Sequence, residues 1–249
     1  MTQWGNKNVQ SYYNSTRNTL KDVYKSELTL LRLVNKKYIK SVYDFGCASG
    51  GFYEIFKKLF GKINYYGNDY EAKSIRIAKT KYASDKNFQC KTQGSKNLSL
   101  NKKFDLTFST SVLHHVRNHK LVVQKLFKHS NKYIFFDAPR ISFHNSFLGK
   151  LDLSERFPIK DGTKKNFVHN FVINIEKYLN FIKDKIEKFK ISKVYIFCEK
   201  LPYNPKYLHV KNKDIFFMTF LCVKGKNNSK LKIFTSNKKI KKICEKILK

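Results

Sequence analysis

Arginine is scarce in a chain that is otherwise strongly basic. Only Arg17, Arg32, Arg76, Arg117, Arg140 and Arg156 stand among 51 Lys and Arg, set against 18 Asp and Glu, for a formal net charge of +33. Arginine is the preferred residue for bidentate contacts to phosphate and guanine, so its shortage argues against a dedicated nucleic-acid reader. The lysines are dispersed along the whole length rather than gathered in one block, as a lysine- and asparagine-rich coding bias would also produce. Cysteine is sparse too. Cys47, Cys90, Cys198, Cys222 and Cys244 are odd in number, scattered and never in C-x-x-C spacing, a pattern that suits reduced thiols in a cytosol. No apolar run approaches the ~20 residues that cross a bilayer, and residues 1–7 carry no signal-peptide core. The longest run, 215–223, reads as a buried strand. A hydrophobic fraction of 41% with 15% aromatics excludes a disordered chain, and 249 residues suffice for one well-buried domain with additions.

The densest signal is Ser41-Val42-Tyr43-Asp44-Phe45-Gly46-Cys47-Ala48-Ser49-Gly50-Gly51-Phe52. It reads as a short apolar strand, a turn of small residues and the start of an amphipathic helix. Glycine and alanine let the backbone pass close to a ligand, and a helix start offers N–H groups to an anionic part of it. Asp44 before the turn suits an ammonium group. Asp69, which closes Ile63-Asn64-Tyr65-Tyr66-Gly67-Asn68-Asp69, suits a pair of ribose hydroxyls. Gly46-x-Ala48-x-x-Gly51 also fits the G-x-G/A-x-x-G pattern of dinucleotide sites. Such sites usually place an apolar residue where Asp44 stands, because a pyrophosphate gains nothing from a nearby carboxylate.

Strands are predicted near 41–46, 63–69, 87–92, 104–109 and 131–137, with helices near 50–60, 71–83 and 117–128. This alternation implies a parallel sheet with right-handed crossovers and a ligand at the strands' carboxyl ends. Asp44, Asp69 and Asp137 fall at or near those ends. Asp105 opens its strand instead and reads as structural. Residues 1–39 look helical, either a lid over the ligand or a cap on one edge of the core. A helix with Ile175, Tyr178, Leu179, Ile182 and Ile186 on one face follows later, then two β-rich runs at 192–200 and 214–224. Residues 227–249 read as a loop and a basic amphipathic helix, with Ile240, Ile243, Cys244, Ile247 and Leu248 on its apolar face. That face would pack on its own domain, touch an anionic membrane surface or bind a partner.

Taken in order, these segments and the Ser111-Val112-Leu113-His114-His115-Val116 run after the fourth strand resemble the class I S-adenosylmethionine-dependent methyltransferases over roughly residues 40 to 140. The resemblance implies an α/β fold: a doubly wound, mostly parallel, seven-stranded sheet in a domain spanning 40–226, whose last two strands are the β-rich runs, one of them antiparallel. It implies S-adenosylmethionine as cofactor, held by Asp44, Gly46, Cys47, Ala48, Gly50, Asp69, Tyr70, Ser95 and Ser109, with no metal. Two departures stand out. Ala48 replaces the usual second glycine, which forbids nothing if its φ is negative. The acid often found after the third strand is absent from Lys91-Thr92-Gln93-Gly94-Ser95-Lys96, leaving adenine to backbone groups or Ser95.

For a hydroxyl acceptor the site needs a proton acceptor. His114 and His115 follow the fourth strand, where the family places its acceptor, and one of them would serve unless both are structural. His144 is a second-rank candidate, as is Asp137. Residues 138–166 would form a cap over the acceptor, with Phe143, Phe147 and Phe157 as apolar walls, or else fill the core below a long connection. The Asp/Asn-Pro-Pro-aromatic motif of nucleobase amino-methyltransferases is missing, because Ser109-Thr110-Ser111 stands there. The expectation is a cytoplasmic methyltransferase acting on an oxygen, or a non-nucleobase nitrogen, of a small molecule, sugar or glycan precursor. Two alternatives are an RNA methyltransferase that uses the lysine-rich surface and a non-catalytic nucleotide-binding adaptor.

Overall fold

The computed structural model describes residues 11, 17–152, 167–201, 214–226 and 230–249. Among the described residues a 3-10 turn (Leu20–Asp22) leads into α1 (Lys25–Leu31), which buries Leu30 and Leu31. Five parallel strands follow: β1 (Ser41–Phe45), β2 (Asn64–Asp69), β3 (Phe88–Thr92), β4 (Phe104–Ser109) and β5 (Ser130–Asp137). They are ordered β3-β2-β1-β4-β5 across the sheet. The helices α2 (Gly51–Phe60), α3 (Ala72–Lys81) and α4 (His119–His129) make three of the crossovers. Strand order reverses direction at β1 and β4, so the carboxyl ends of these strands open the crevice where ligands bind in doubly wound sheets.

The sheet is filled largely by aromatic residues. Phe56, Phe108, Phe135 and Tyr65 are fully buried on one side, and Phe104, Phe127, Phe136 and Phe220 on the other. Each such side chain contributes roughly 1.5–3 kcal/mol on burial. Asp105 is structural: its Oδ2 accepts from the Lys40 and Ser41 amides at 3.0 and 2.9 Å and ties the start of β4 to that of β1.

Beyond β5 the architecture departs from the sequence expectation. The segment 138–166, expected as a cap over the acceptor, begins with strands β6 (Arg140–Ser142) and β7 (Phe147–Asp152). With β8 (Phe167–Asn174) they extend the sheet in the order β10-β6-β8-β7, where β10 is Ile215–Lys224. The reason lies in β10. Its residues 219–223 pair with β5, and β6 takes up the same edge where β5 stops, pairing Ile215 with Ser142 and Phe216 with Ile141. Residues 153–166, including Phe157, lie outside the described residues, as do 1–10 and 12–16 of the N-terminal extension.

Helix α5 (Ile175–Lys188) follows β8, and β9 (Ile191–Lys200) pairs antiparallel with β10. The segment expected to be a loop before the last helix contains β11 (Lys230–Phe234), parallel to β9, so eleven strands are described where seven were expected. Helix α6 (Lys238–Leu248) is capped by the Asn237 side chain, which accepts from the Ile240 amide at 3.0 Å. It packs against α5 and β11 with Ile240, Cys244 and Leu248 buried. Of the three fates open to the apolar face of α6, the fold uses the first.

Candidate active site

A cavity of about 530 Å³ opens at the carboxyl ends of β1, β2 and β4. Its floor is the turn between β1 and α2. Gly46, Ala48 and Gly50 all adopt positive φ there, at 83°, 47° and 79°. A side chain at Gly46 would be strained by its φ and would have to displace Val112, whose Cγ2 would lie 2.3 Å from the added Cβ. The Gly46 and Cys47 amides both donate to the Asn68 carbonyl, at 2.8 and 3.0 Å, which fixes the turn to the end of β2. Ala48 is left-handed rather than negative in φ, a conformation that costs roughly 1–2 kcal/mol for a residue with a Cβ. Its amide donates to Asp69 Oδ2 at 3.0 Å, while Asp69 Oδ1 accepts from the Glu71 amide at 2.9 Å. One carboxylate thus holds both the turn and the chain after β2, and Asp69 itself lines the cavity.

Asp44 is buried beneath the turn and accepts from the Tyr65 hydroxyl at 2.6 Å. Burial pushes its carboxyl up to about 7 against the pull of that hydrogen bond, with Asp69 adding repulsion. Burial likewise raises Asp69, opposed by the Glu71 and Ala48 amides. Asp137 accepts from the Ser111 amide at 2.9 Å and the Thr219 hydroxyl at 2.8 Å, and burial with nearby Glu27 pushes it up to about 7. Three buried acids therefore cluster near this end of the site, a setting that favours a bound cation.

Of the residues singled out from sequence, Asp44, Gly46, Cys47, Ala48, Asp69, Tyr70, Ser95 and His115 line the cavity. Gly50, Ser109, His114 and His144 are not among its lining residues. Gly50 caps α2, and its Cβ would meet the Phe88 ring at 2.9 Å. Ser109 is fully buried at the end of β4. His114 is buried with its ring centroid 3.9 Å from that of His115. His144 sits in the turn between β6 and β7, where its amide donates to Ser142 Oγ at 3.1 Å. His115 Nδ1 lies 2.6 Å from the His169 carbonyl on β8. A carbonyl only accepts, so Nδ1 carries the proton and Nε2 is the basic nitrogen.

A family model described as a methyltransferase domain matches residues 43–132. Over those residues the chain is similar to methyltransferase domains. No curated protein matches it. Solved structures share its fold at low identity. The O-methyltransferase of a trans-AT polyketide synthase multienzyme from Brevibacillus brevis, in complex with S-adenosyl-L-homocysteine, is 12% identical with a TM-score of 0.56, over 97% of this chain and 82% of that one. The N-terminal domain of EvdMO1 with S-adenosylhomocysteine bound is 10% identical with a TM-score of 0.55, over 87% and 94%. An S-adenosylmethionine-dependent methyltransferase from Clostridium acetobutylicum is 15% identical with a TM-score of 0.50, over 82% and 94%.

The chemistry of the cavity fits S-adenosylmethionine. Asp69 and Asp44 both line it, and a carboxylate can accept from ribose hydroxyls or from an ammonium group. Gln93 stands just after β3, near where the acid is missing. Gln93 lines the cavity and donates through Nε2 to the Asn97 carbonyl, yet its Oε1 is buried without a hydrogen-bond partner. A buried acceptor left unmade is costly, and the amino group of adenine would satisfy it. Arg17 and Thr110 also line the cavity and were not foreseen.

Proposed function

We propose that the protein methylates an oxygen atom of a small molecule, such as a sugar or glycan precursor, with His115 as the proton acceptor. The observation that carries this reading is the tautomer of His115. The His169 carbonyl holds Nδ1–H, which leaves basic Nε2 on a ring that lines the cavity just beyond β4. A hydroxyl acceptor must lose its proton as the new C–O bond forms, and a basic nitrogen within reach takes it. When bound, S-adenosylmethionine supplies an electrophilic methyl carbon. Asp69, Gln93 and the β1–α2 turn would hold it, and Asp44 would take its ammonium group. His115 then receives the proton that the acceptor hydroxyl gives up.

Two neighbours support this reading: the Brevibacillus protein is an O-methyltransferase, and EvdMO1 has been crystallised in the presence of S-adenosylhomocysteine and D-fucose. The net charge of +33 favours RNA as a second reading. Untargeted metabolite profiling of an overexpressing strain tests the first. A new species heavier by one methylene, absent when His115→Gln replaces the wild type, is the expected result. Profiles that are identical in the two strains would remove His115 from the chemistry.

A further inference from the structure

The N-terminal segment brings an arginine into the cavity from outside the 43–132 methyltransferase match. Arg17 has a positive φ of 61° and is 16% exposed at its side chain. Its Nη2 lies 2.6 Å from Glu27 Oε1, and Nη1 donates to Thr110 Oγ1 at 3.3 Å. Thr110 is also hydrogen-bonded to Glu27, which closes a three-membered ring of contacts. The guanidinium packs over the Tyr24 and Phe52 rings, 4.6 and 5.2 Å from their centroids. The Arg17 carbonyl presses on the start of α2 so closely that a Cβ on Gly51 would lie 2.5 Å from it. These two ion-pair and hydroxyl contacts use two of the five N–H donors of the guanidinium.

The charge balance at this end of the cavity gives Arg17 a purpose. Asp44, Glu27 and Asp137 are buried acids and suit a cation, but they would repel any carboxylate placed among them. Lys96 and Arg117, the other full cations on the lining, belong to the loop after β3 and to the chain beyond His115. Burial works against the Arg17 cation, but Glu27, Tyr24 and Asp137 outweigh it and hold the group firmly charged.

We propose that Arg17 binds the carboxylate of the cofactor's amino-acid end, with Glu27 and Thr110 as the residues that position it. This rests on the methyltransferase reading. The start of α2 beside it adds the positive end of a helix dipole. The amino-acid end of the cofactor then meets complementary groups, the ammonium facing the acids and the carboxylate facing Arg17.

Calorimetry with S-adenosylmethionine and its decarboxylated analogue, which keeps the sulfonium and the ammonium, tests the assignment. The wild type should prefer the carboxylated ligand by roughly tenfold or more, as expected for a charged bidentate contact. Arg17→Gln should lower affinity for S-adenosylmethionine by that factor, leave the analogue within about threefold and so erase the preference. Arg17→Lys, which keeps a cation beside Glu27 should the glutamine variant fail to fold, should show an intermediate preference. A preference that survives in these variants, or equal losses for both ligands, would overturn the role. A wild type that binds neither ligand would instead remove the cofactor reading beneath it.

Discussion

Removing the Asp69 carboxylate deprives the Ala48 and Glu71 amides of their acceptor at the same time as it strips the ribose position. Asp69→Ala should therefore weaken S-adenosylhomocysteine binding at least about tenfold, in keeping with the ~2–5 kcal/mol typical of a lost buried charged contact. Calorimetry measures it, and a melt that remains cooperative shows that the sheet survives. A second expectation concerns pH. Asp44 and Asp137 sit at about 7, above the 3.8 of a free aspartate. The folded apoprotein therefore binds more protons than the unfolded chain between those values, and its stability falls as pH rises through that window. A bound ammonium favours the ionised carboxyls, so affinity should rise between about pH 6 and about pH 8, and Asp44→Asn should flatten the rise. A pH-independent affinity in the wild type would mean that Asp44 does not meet the ligand. Asp44 and Asp69 were legible because strand ends and a small-residue turn announce them within a local stretch. Arg17 was not, because its meaning depends on Thr110, 93 residues away, and on a left-handed backbone that no motif marks. The tie between His115 and His169 spans 54 residues and was hidden for the same reason.

Helix α6 shows how far periodicity reaches. The i, i+3, i+4 pattern names an apolar face but not what covers it, and here α5 and β11 do. Ile240 and Cys244 are fully buried and Leu248 nearly so, while Lys238, Lys239, Lys241, Lys242 and Lys246 are exposed. Ile240→Ala should cost about 2–5 kcal/mol by denaturant unfolding, the range for a large-to-small change in a core. Lys241→Glu should stay within about 0.5 kcal/mol. Equal, small effects at both positions would return the helix to the role of a loose appendage. The five parallel strands were legible because each is a short apolar run followed by a helical period. Strand β11 was not, since Lys230-Leu231-Lys232-Ile233-Phe234 sits on an edge with lysines on alternate positions and reads as polar. Strand β6 has three residues and exists because β10 outruns β5, a length mismatch that no local pattern encodes.

The charge of the whole molecule sets its response to salt. A net +33 over one domain gives repulsion that the described ion pairs barely offset, because only Arg17–Glu27 is buried while the others join half-exposed or exposed side chains. Exposed pairs contribute about 0–1 kcal/mol each. Some lysines are accommodated over rings, as Lys102 is over Tyr66 at 3.2 Å and Lys57 over Tyr53 at 4.5 Å, but these contacts leave the repulsion in place. Screening shortens from ~30 Å at ~0.01 M salt to ~10 Å at ~0.1 M, below the span of the molecule. The melting temperature should therefore rise when sodium chloride is taken from about 0.01 to about 0.5 M, most steeply at the low end, where screening changes fastest. Cofactor affinity should move far less, since Asp44 and Glu27 are buried and the Arg17 side chain is only 16% exposed. The same lysines predict that binding to unrelated RNA weakens steeply with salt, as counterion release requires. That binding alone does not make RNA an acceptor. Incubation with methyl-labelled S-adenosylmethionine and total RNA should leave the RNA unlabelled at every salt concentration. Label in the RNA would transfer the acceptor role from a small molecule to a polynucleotide, and would turn the lysine surface from a source of repulsion into part of the active site.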